Sequence, residues 1–391
     1  MQIYRVGGSV RDELLGRAVA DRDYVVVGAT PEAMRALGFR SVGRDFPVFL
    51  HPQTHDEYAL ARTERKSGPG HRGFRFHASP DVTLEEDLGR RDLTINAMAR
   101  AENGTLIDPF GGERDLRAGI LRHVGPAFAE DPLRVLRVAR FAARFGFAVA
   151  PETQALMRSI VAGGELVTLS SERVWQELSR ALMDGTPSLF VTTLRRCGAL
   201  AVVLPELDAL YNERGAPGAA HREGLLRALD STAPAAEPLP VRYAVLAGGL
   251  ADQPRARSLR AERLSRRLNA PSDCRELALL AARLGERIER APSLSGPEVL
   301  DLLLAGDALR RPGRFERLMR VCAALQSARR PNPETEHRAL AWLAAARSVV
   351  RNVDAGKLGR TRPDGREVAR RLRAERLKAL REWRDGTLEQ R

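Results

Sequence analysis

Two rhythms of apolar residues divide the chain. Up to about residue 125 they come in short β-rich runs: Gln2–Val6, Asp23–Val27, Val48–Leu50, 57–61 and 105–108. Short runs of such residues bounded by turn formers predict strands. Between them, stretches near 9–15, 31–36 and 93–100 are spaced as helices, which makes this part a mixed α/β or α+β domain. From Asp131 the rhythm turns helical. Leu133, Leu136, Val138, Phe141 and Phe145 return at helical spacing, and so do Leu178, Leu182, Leu189 and Leu194 further on. No long strand is expected after about residue 150. The stretch 213–239, rich in Ala, Gly and Pro, reads as a loop or weak boundary. Residues 366–384 read as one basic amphipathic helix with Val368, Leu372, Leu377 and Leu380 inward.

The chain has 391 residues, enough for two to three domains with a real core. Its 63 bases exceed its 50 acids by 13, and all but three of the bases are Arg. Genome composition can explain the choice of Arg. It does not explain the surplus, which points to a polyanion, nucleic acid ahead of membrane. The last 41 residues alone carry a net +6, from 13 bases and 7 acids. Their helix fits either a solvated face or a face for RNA. Three scattered cysteines exclude a disulfide framework and a zinc ribbon, and suit a reducing compartment. No stretch is apolar enough for a membrane span, and no signal-peptide pattern opens the chain, so a cytoplasmic protein is expected.

Four blocks carry candidate chemistry. In the first, the strand ending at Val6 runs into Gly7–Gly8, and Ser9 stands as the expected N-cap of a helix. Glycines let backbone approach a ligand, and an open helix N-terminus attracts phosphate. A plain strand–helix turn fits the glycines as well. Arg11 falls in the first turn, where the helix dipole disfavours a cation, which hints at an anionic ligand. The second block is Asp21–Arg22–Asp23. Strand residues two apart share a face, about 7 Å apart, a span suited to carboxylates holding divalent cations. Glu57 opens a later strand and is a third candidate acid. A solvated strand edge is the plain alternative.

The third block is Arg90–Arg91–Asp92, where Asp92 can cap a helix and the arginines can clamp a triphosphate or ribose. Residues 63–88, before it, look like a mobile basic loop able to gate a site. The fourth runs from Glu130 to Arg140. Asp131 before Pro132 is a standard helix start, and it can also do chemistry. Arg134, Arg137 and Arg140 recur every three residues as a cationic stripe. Either a bound polyanion or salt bridges to other acids would relieve their repulsion.

GGSVRD, DRD, RRDLTINAMA, DPFGG and EDPLRVLRVARFAARF stand in this order, with FPVFLHPQTHDEYALARTERKSG among them. Together they resemble the bacterial tRNA nucleotidyltransferases, the CCA-adding enzymes, in their proteobacterial form. The likeness runs from Met1 to about Leu204, with a weaker trace in the tail. It implies an α+β fold: an N-terminal mixed-sheet, polymerase beta-like head over 1–125, then an all-α neck (126–204), body (205–330) and basic tail (331–391). It implies Mg²⁺ on Asp21 and Asp23, and addition of C, C and A to a tRNA 3′ end from CTP and ATP. Gly8 and Arg11 are then expected near the nucleotide phosphates, Arg91 on the same nucleotide and Asp92 near its ribose. Asp131 and Arg134 are expected to read the base edge, and Arg137 and Arg140 to complete the pocket. Phe110–Gly111–Gly112 and the helix start at Ser170 are expected to act as a hinge and a brace.

One departure from that resemblance matters. Many proteobacterial relatives carry an HD phosphohydrolase domain with a His-Asp metal pair. Here residues 241–252 read VRYAVLAGGLAD, without the pair, and after His123 only His221 and His337 remain. A degenerate HD-like body without hydrolase activity is expected. The rival readings are a bacterial poly(A) polymerase, a CC-only or A-only enzyme, and a non-catalytic RNA-binding relative. Longer basic extensions are usual in the first, a damaged loop in CC-adding forms, and lost carboxylates in the last.

Overall fold

The computed structural model describes residues 1–19, 22–42, 48–66, 74–212, 216–251, 253–329, 333–353 and 365–388. They form two compact units, Met1–Pro205 and Glu206–Arg391.

The first unit opens with β1 (Gln2–Val6), α1 (Gly8–Leu14), β2 (Asp23–Val27), α2 (Pro31–Ala36), β3 (Arg40–Val42), β4 (Val48–Leu50) and β5 (Glu57–Leu60). A hairpin of β6 (Arg62–Lys66) and β7 (Phe74–Ala78) follows, then α3 (Leu84–Gly89), β8 (Ala99–Ala101), β9 (Leu106–Ile107) and α4 (Gly112–Ala118). Seven strands make one mixed sheet in the order β3-β4-β5-β2-β1-β8-β9. Only β2 and β5 pair in parallel. Period-two alternation explains why both faces are apolar. Val6, Val25, Leu88 and Ala99 belong to one buried cluster, while Val26, Met34, Phe49 and Leu60 belong to another.

The sequence reading errs at 93–100. A helix is expected there, but Leu93 is extended, Thr94–Asn96 makes a single 3₁₀ turn and β8 follows. Side chains compete with the helix for hydrogen bonds. Asp92 accepts from the Leu93 N–H and the Asn96 amide, and the Thr94 hydroxyl donates to Asp115, 2.8 Å away. Ser9 is not an N-cap either. Helix α1 begins at Gly8 behind Gly7, and the Ser9 hydroxyl donates to Val6 O at 3.0 Å.

A short parallel pair, β10 (Ile120–Leu121) and β11 (Ala148–Val149), frames α5 (Leu133–Phe145). Leu133, Leu136, Val138 and Phe141 are buried. Helices α6 (Pro151–Ala162), α7 (Ser171–Met183) and α8 (Pro187–Arg196) complete this part, with Leu178, Leu182 and Leu194 buried.

The second unit is helical throughout its described residues. Leu239–Gly248 packs against Ser272–Glu289 and Pro312–Arg329. A helix, Ala216–Ser231, occupies much of the expected loop 213–239. Proline is tolerated in a first helical turn, and Leu225, Ala228 and Leu229 supply a buried face. The last described helix spans Gly365–Leu388. Leu380 is buried, Trp383 meets Trp342 with centroids 5.0 Å apart, and Arg370 and Arg371 pair with Glu367. No described helix is long and apolar enough to cross a membrane.

The Gly111–Gly112 step shows why the first unit tolerates so little change at its joints. Asp108 caps α4 by accepting from the Gly112 and Glu113 N–H groups, at 2.7 and 2.9 Å. A Cβ on Gly112 would lie 2.2 Å from Thr94 O, a backbone atom. Replacing Gly112 with Ala is therefore expected to lower stability by ~1–3 kcal/mol through overpacking. Urea denaturation measures this, and an unchanged midpoint would contradict the close approach.

Candidate nucleotide-binding site

The sheet brings two of the candidate acids together. Val6, Asp23 and Glu57 are register partners across β1, β2 and β5. Neighbouring strands lie about 4.8 Å apart, and register partners present their side chains on the same face. Asp23 and Glu57 therefore stand side by side at one end of the sheet, both exposed. Asp21 lies outside the described residues. Carboxylate oxygens are what a hard divalent cation takes, so Asp23 and Glu57 fit such an ion by donor type. Among the described residues, no group of three His, Cys, Asp or Glu side chains is drawn together as a metal centre.

The glycine turn sits at this end. Gly7 has φ +69°, and α1 starts at Gly8 with no side-chain cap, so its first N–H groups stay open. The Arg91 guanidinium lies against Gly7, where a Cβ would meet its Nη1 at 2.8 Å. A Cβ there would push the guanidinium aside, and the positive φ itself favours glycine. Arg91 Nη2 pairs with Asp87 at 3.1 Å, and its buried Nε has no hydrogen-bond partner among the described residues. A partly satisfied cation beside a glycine turn and an open helix N-terminus suits an anionic ligand.

Asp92 is nearly fully buried and accepts three hydrogen bonds beside a further ion-pair contact. Leu93 N and Asn96 Nδ2 reach Oδ1, both at 2.9 Å, while Arg137 Nε and Nη2 reach Oδ2, both at 2.7 Å. Burial alone would raise its pKa, but Arg137, Asn96 and Arg134 outweigh burial and hold it down at about 2. Asp92 in turn raises the pKa of Arg137. Arg11 is also buried, where it donates to Asp12 and Asn96 and lies over the Phe141 and Phe145 rings. The charge that broke the dipole rule is answered within the protein.

Helix α5 carries the remaining candidates. Asp131 Oδ1 accepts the Leu133 N–H at 3.0 Å, the helix-start bond its position suggested, and Oδ2 accepts Arg173 Nη2 at 2.8 Å. Arg134 donates to three carbonyls: Arg90 O at 2.7 Å, Ala127 O at 3.0 Å and Arg91 O at 3.4 Å. Arg140 Nε meets the buried Glu177 at 2.6 Å. Two of the three arginines in the stripe thus pair with protein acids and the third with backbone.

Residues 3–122 match a family model described as the poly A polymerase head domain. Residues 146–211 match one described as a probable RNA and SrmB-binding site of polymerase A. A multifunctional CCA protein from Dechloromonas aromatica is 52% identical over 411 aligned positions, which cover 100% of this chain and 99% of that one. One from Laribacter hongkongensis is 51% identical, covering 97% of this chain and 98% of its own. The chain belongs to the multifunctional CCA protein family. Its structure also resembles the Bacillus stearothermophilus CCA-adding enzyme in complex with CTP (TM-score 0.66, 26% identity, 99% and 94% covered). The Thermotoga maritima CCA-adding enzyme complexed with tRNA shares the fold (TM-score 0.68, 23% identity, 97% and 87% covered).

Several residues at the site were not singled out from the sequence as chemically important. Asp87 is fully buried between Arg90 and Arg91, Asn96 links Asp92 to Arg11, and Glu177 holds Arg140. The run Glu85–Glu86–Asp87 before two arginines was the available sign.

The Asp92 pair gives a pH test. A folded pKa of about 2, below the ordinary 3.8, means stability that is present above about pH 4 and lost as pH falls toward 2. The contribution is on the order of 2 kcal/mol. In urea melts, the gap between wild type and Asp92→Asn is expected to be widest above pH 4 and to shrink toward pH 2. A gap that stays constant across that range would mean the carboxylate charge is not what matters.

Proposed function

We propose that this chain adds C, C and A to the 3′ end of tRNA from CTP and ATP, releasing pyrophosphate, with no nucleic-acid template. The observation that carries this is the placement of Asp23 and Glu57 beside the Gly7–Gly8 turn, the open start of α1 and Arg91. Full-length identity of about half to multifunctional CCA proteins supports CCA addition over the poly(A) polymerase reading. The division into head (1–125), neck (126–204), body (205–330) and tail (331–391) belongs to the same proposal.

In this reading Asp21 and Asp23 hold Mg²⁺, with Glu57 beside them. When bound, such ions lower the pKa of the attacking 3′-OH and steady the leaving pyrophosphate. Gly8 and Arg91 face the nucleotide phosphates, and the body and tail arginines meet tRNA by shape and phosphate contacts. Arg11, Asp92, Arg137 and Arg140 act by bracing the pocket, which their partners within the protein support.

Asp131 and Arg134 remain the base readers in this proposal. A carboxylate offers about four lone-pair sites. Leu133 N and Arg173 use one on each oxygen of Asp131, which leaves room for an exocyclic amino group. Cytosine and adenine offer that donor beside a ring-nitrogen acceptor, while uracil and guanine present the opposite pattern. Each mismatch costs ~1–3 kcal/mol.

The test offers tRNA lacking CCA, tRNA ending in C and tRNA ending in CC, each with CTP, ATP or both. CTP alone is expected to give CC, ATP alone to extend only the CC form, and both to complete CCA. A stop at CC, or long runs of A, would support the rivals. Asp23→Ala is expected to abolish addition while tRNA binding survives. Asp131→Ala is expected to narrow the preference for CTP and ATP over UTP and GTP by roughly ten- to a hundredfold. If that variant only melts earlier by about 1 kcal/mol and keeps the wild-type ratios, Asp131 is a cap alone.

We also infer that the body has no HD phosphohydrolase activity. In the second unit, His221 Nε2 lies 2.8 Å from Gly249 O, within the stretch that lacks the His-Asp pair. The purified protein is expected not to hydrolyse a 2′,3′-cyclic phosphate with Ni²⁺ or Mn²⁺. Robust hydrolysis that persists in Asp23→Ala would overturn this.

A further inference from the structure

Asp87 is a fully buried acid outside the proposed chemistry. It lies in the first turn of the six-residue helix α3, and unlike its acidic neighbours there it has no exposed surface. Glu85 and Glu86 in the same turn are exposed, and Glu86 completes a capping box with Thr83. A charge kept out of water must be compensated by its partners.

Those partners are the inference. Asp87 Oδ1 accepts from Arg90 Nη2 at 2.7 Å, from Arg90 Nε at 3.1 Å and from the Arg62 N–H at 3.3 Å, while Oδ2 accepts from Arg91 Nη2 at 3.1 Å. Arg90 Nε also donates to Arg62 O at 3.0 Å, so both backbone groups of Arg62, the first residue of β6, are held. The carbonyls of Arg90 and Arg91 in turn accept Arg134. One carboxylate thus fixes the base of the β6–β7 hairpin, the guanidinium against Gly7 and the backbone that holds Arg134.

We infer that Asp87 is a positioning residue of the nucleotide site, setting Arg91 against the Gly7–Gly8 turn and, through residues 90–91, the place of Arg134. It touches neither nucleotide nor metal. The inference rests on the nucleotide-binding reading given above. Without the Asp87 charge, Arg90 and Arg91 repel each other and Arg91 leaves the turn. A displacement of about 1 Å at such a site costs up to a hundredfold.

The experiment compares wild type, Asp87→Asn, Asp87→Glu, Arg91→Ala and the double variant Asp87→Asn/Arg91→Ala at a temperature well below their melting. The readouts are nucleotide KM and kcat with tRNA ending in CC, and the rise in Tm caused by CTP alone. Asp87→Asn is expected to raise the KM for ATP about tenfold or more, with a smaller change in kcat, and to shrink the CTP-induced rise in Tm. In the Arg91→Ala background the same change is expected to add little to KM, because its effect runs through Arg91. Equal penalties in both backgrounds, or a lower Tm with unchanged KM and an unchanged CTP response, would overturn the proposal. If Asp87→Asn does not fold, Asp87→Glu keeps the charge but displaces it, and the same two readouts decide. A wild type that binds CTP but extends no tRNA would refute the proposed reaction and leave the Asp87 test intact through the Tm response. A wild type that does not respond to CTP at all would refute both.

Discussion

A buried carboxylate keeps its charge only where donors surround it. In the first unit that condition decides which parts can be rigid. Asp92 meets it with donors on both oxygens, and Asp87 with arginines on both sides and a backbone N–H. Some of these bonds also tie one element to another, as Asp87 does by accepting the Arg62 N–H of β6. Arg137 joins α5 to the segment after α3, and Arg144 reaches Asp12 in α1 at 2.9 Å. Removing one partner would leave a buried charge alone, which is far worse than removing both. The network therefore holds its shape as a unit.

Two phenyl rings extend the same logic. Phe141 and Phe145, one turn apart on α5, stack with centroids 5.9 Å apart. The guanidiniums of Arg11, Arg137 and Arg140 lie over the first, and those of Arg11, Arg17 and Arg144 over the second. Ring faces attract cations, more strongly when water is excluded. This lets several arginines gather in a small space without a matching number of acids, which a nucleotide pocket for triphosphates needs before the ligand arrives.

Much of this was legible in the sequence, for identifiable reasons. The strands at 2–6, 23–27 and 48–50 follow from local β pattern, and the helices after residue 131 from long, regular periodicity. Asp23 and Glu57 could be named from their place at strand starts, but not their adjacency, because a parallel register between strands thirty-odd residues apart is set by tertiary packing. The helix expected at 93–100 failed because Asp92, Thr94 and Asn96 spend their side chains on local and long-range bonds. The partners of the arginine stripe were equally hidden: Asp92 and Glu177 lie 45 and 37 residues from the arginines they hold. The sequence could only say that the stripe needed either acids or a polyanion, and acids supply two of its three positions.

The excess of arginine over lysine acquires a meaning that composition alone does not supply. On the tail helix Arg370 and Arg371 are exposed and pair with one glutamate, a task lysine performs nearly as well. Around α5 the tasks differ. Arg134 spreads its donors over three backbone carbonyls, Arg137 turns one edge of its guanidinium to a single carboxylate oxygen, and Arg140 bonds Glu177 while lying 4.4 Å from the Phe141 ring centroid. An ammonium is a compact point charge without a planar fork, so it cannot reach several acceptors in fixed directions or stack on a ring in the same way. Genome bias is thus sufficient for Arg370 and Arg371 and insufficient for the arginines of α5. There the planar fork is what allows a cation to be buried, directed and shared between neighbouring elements.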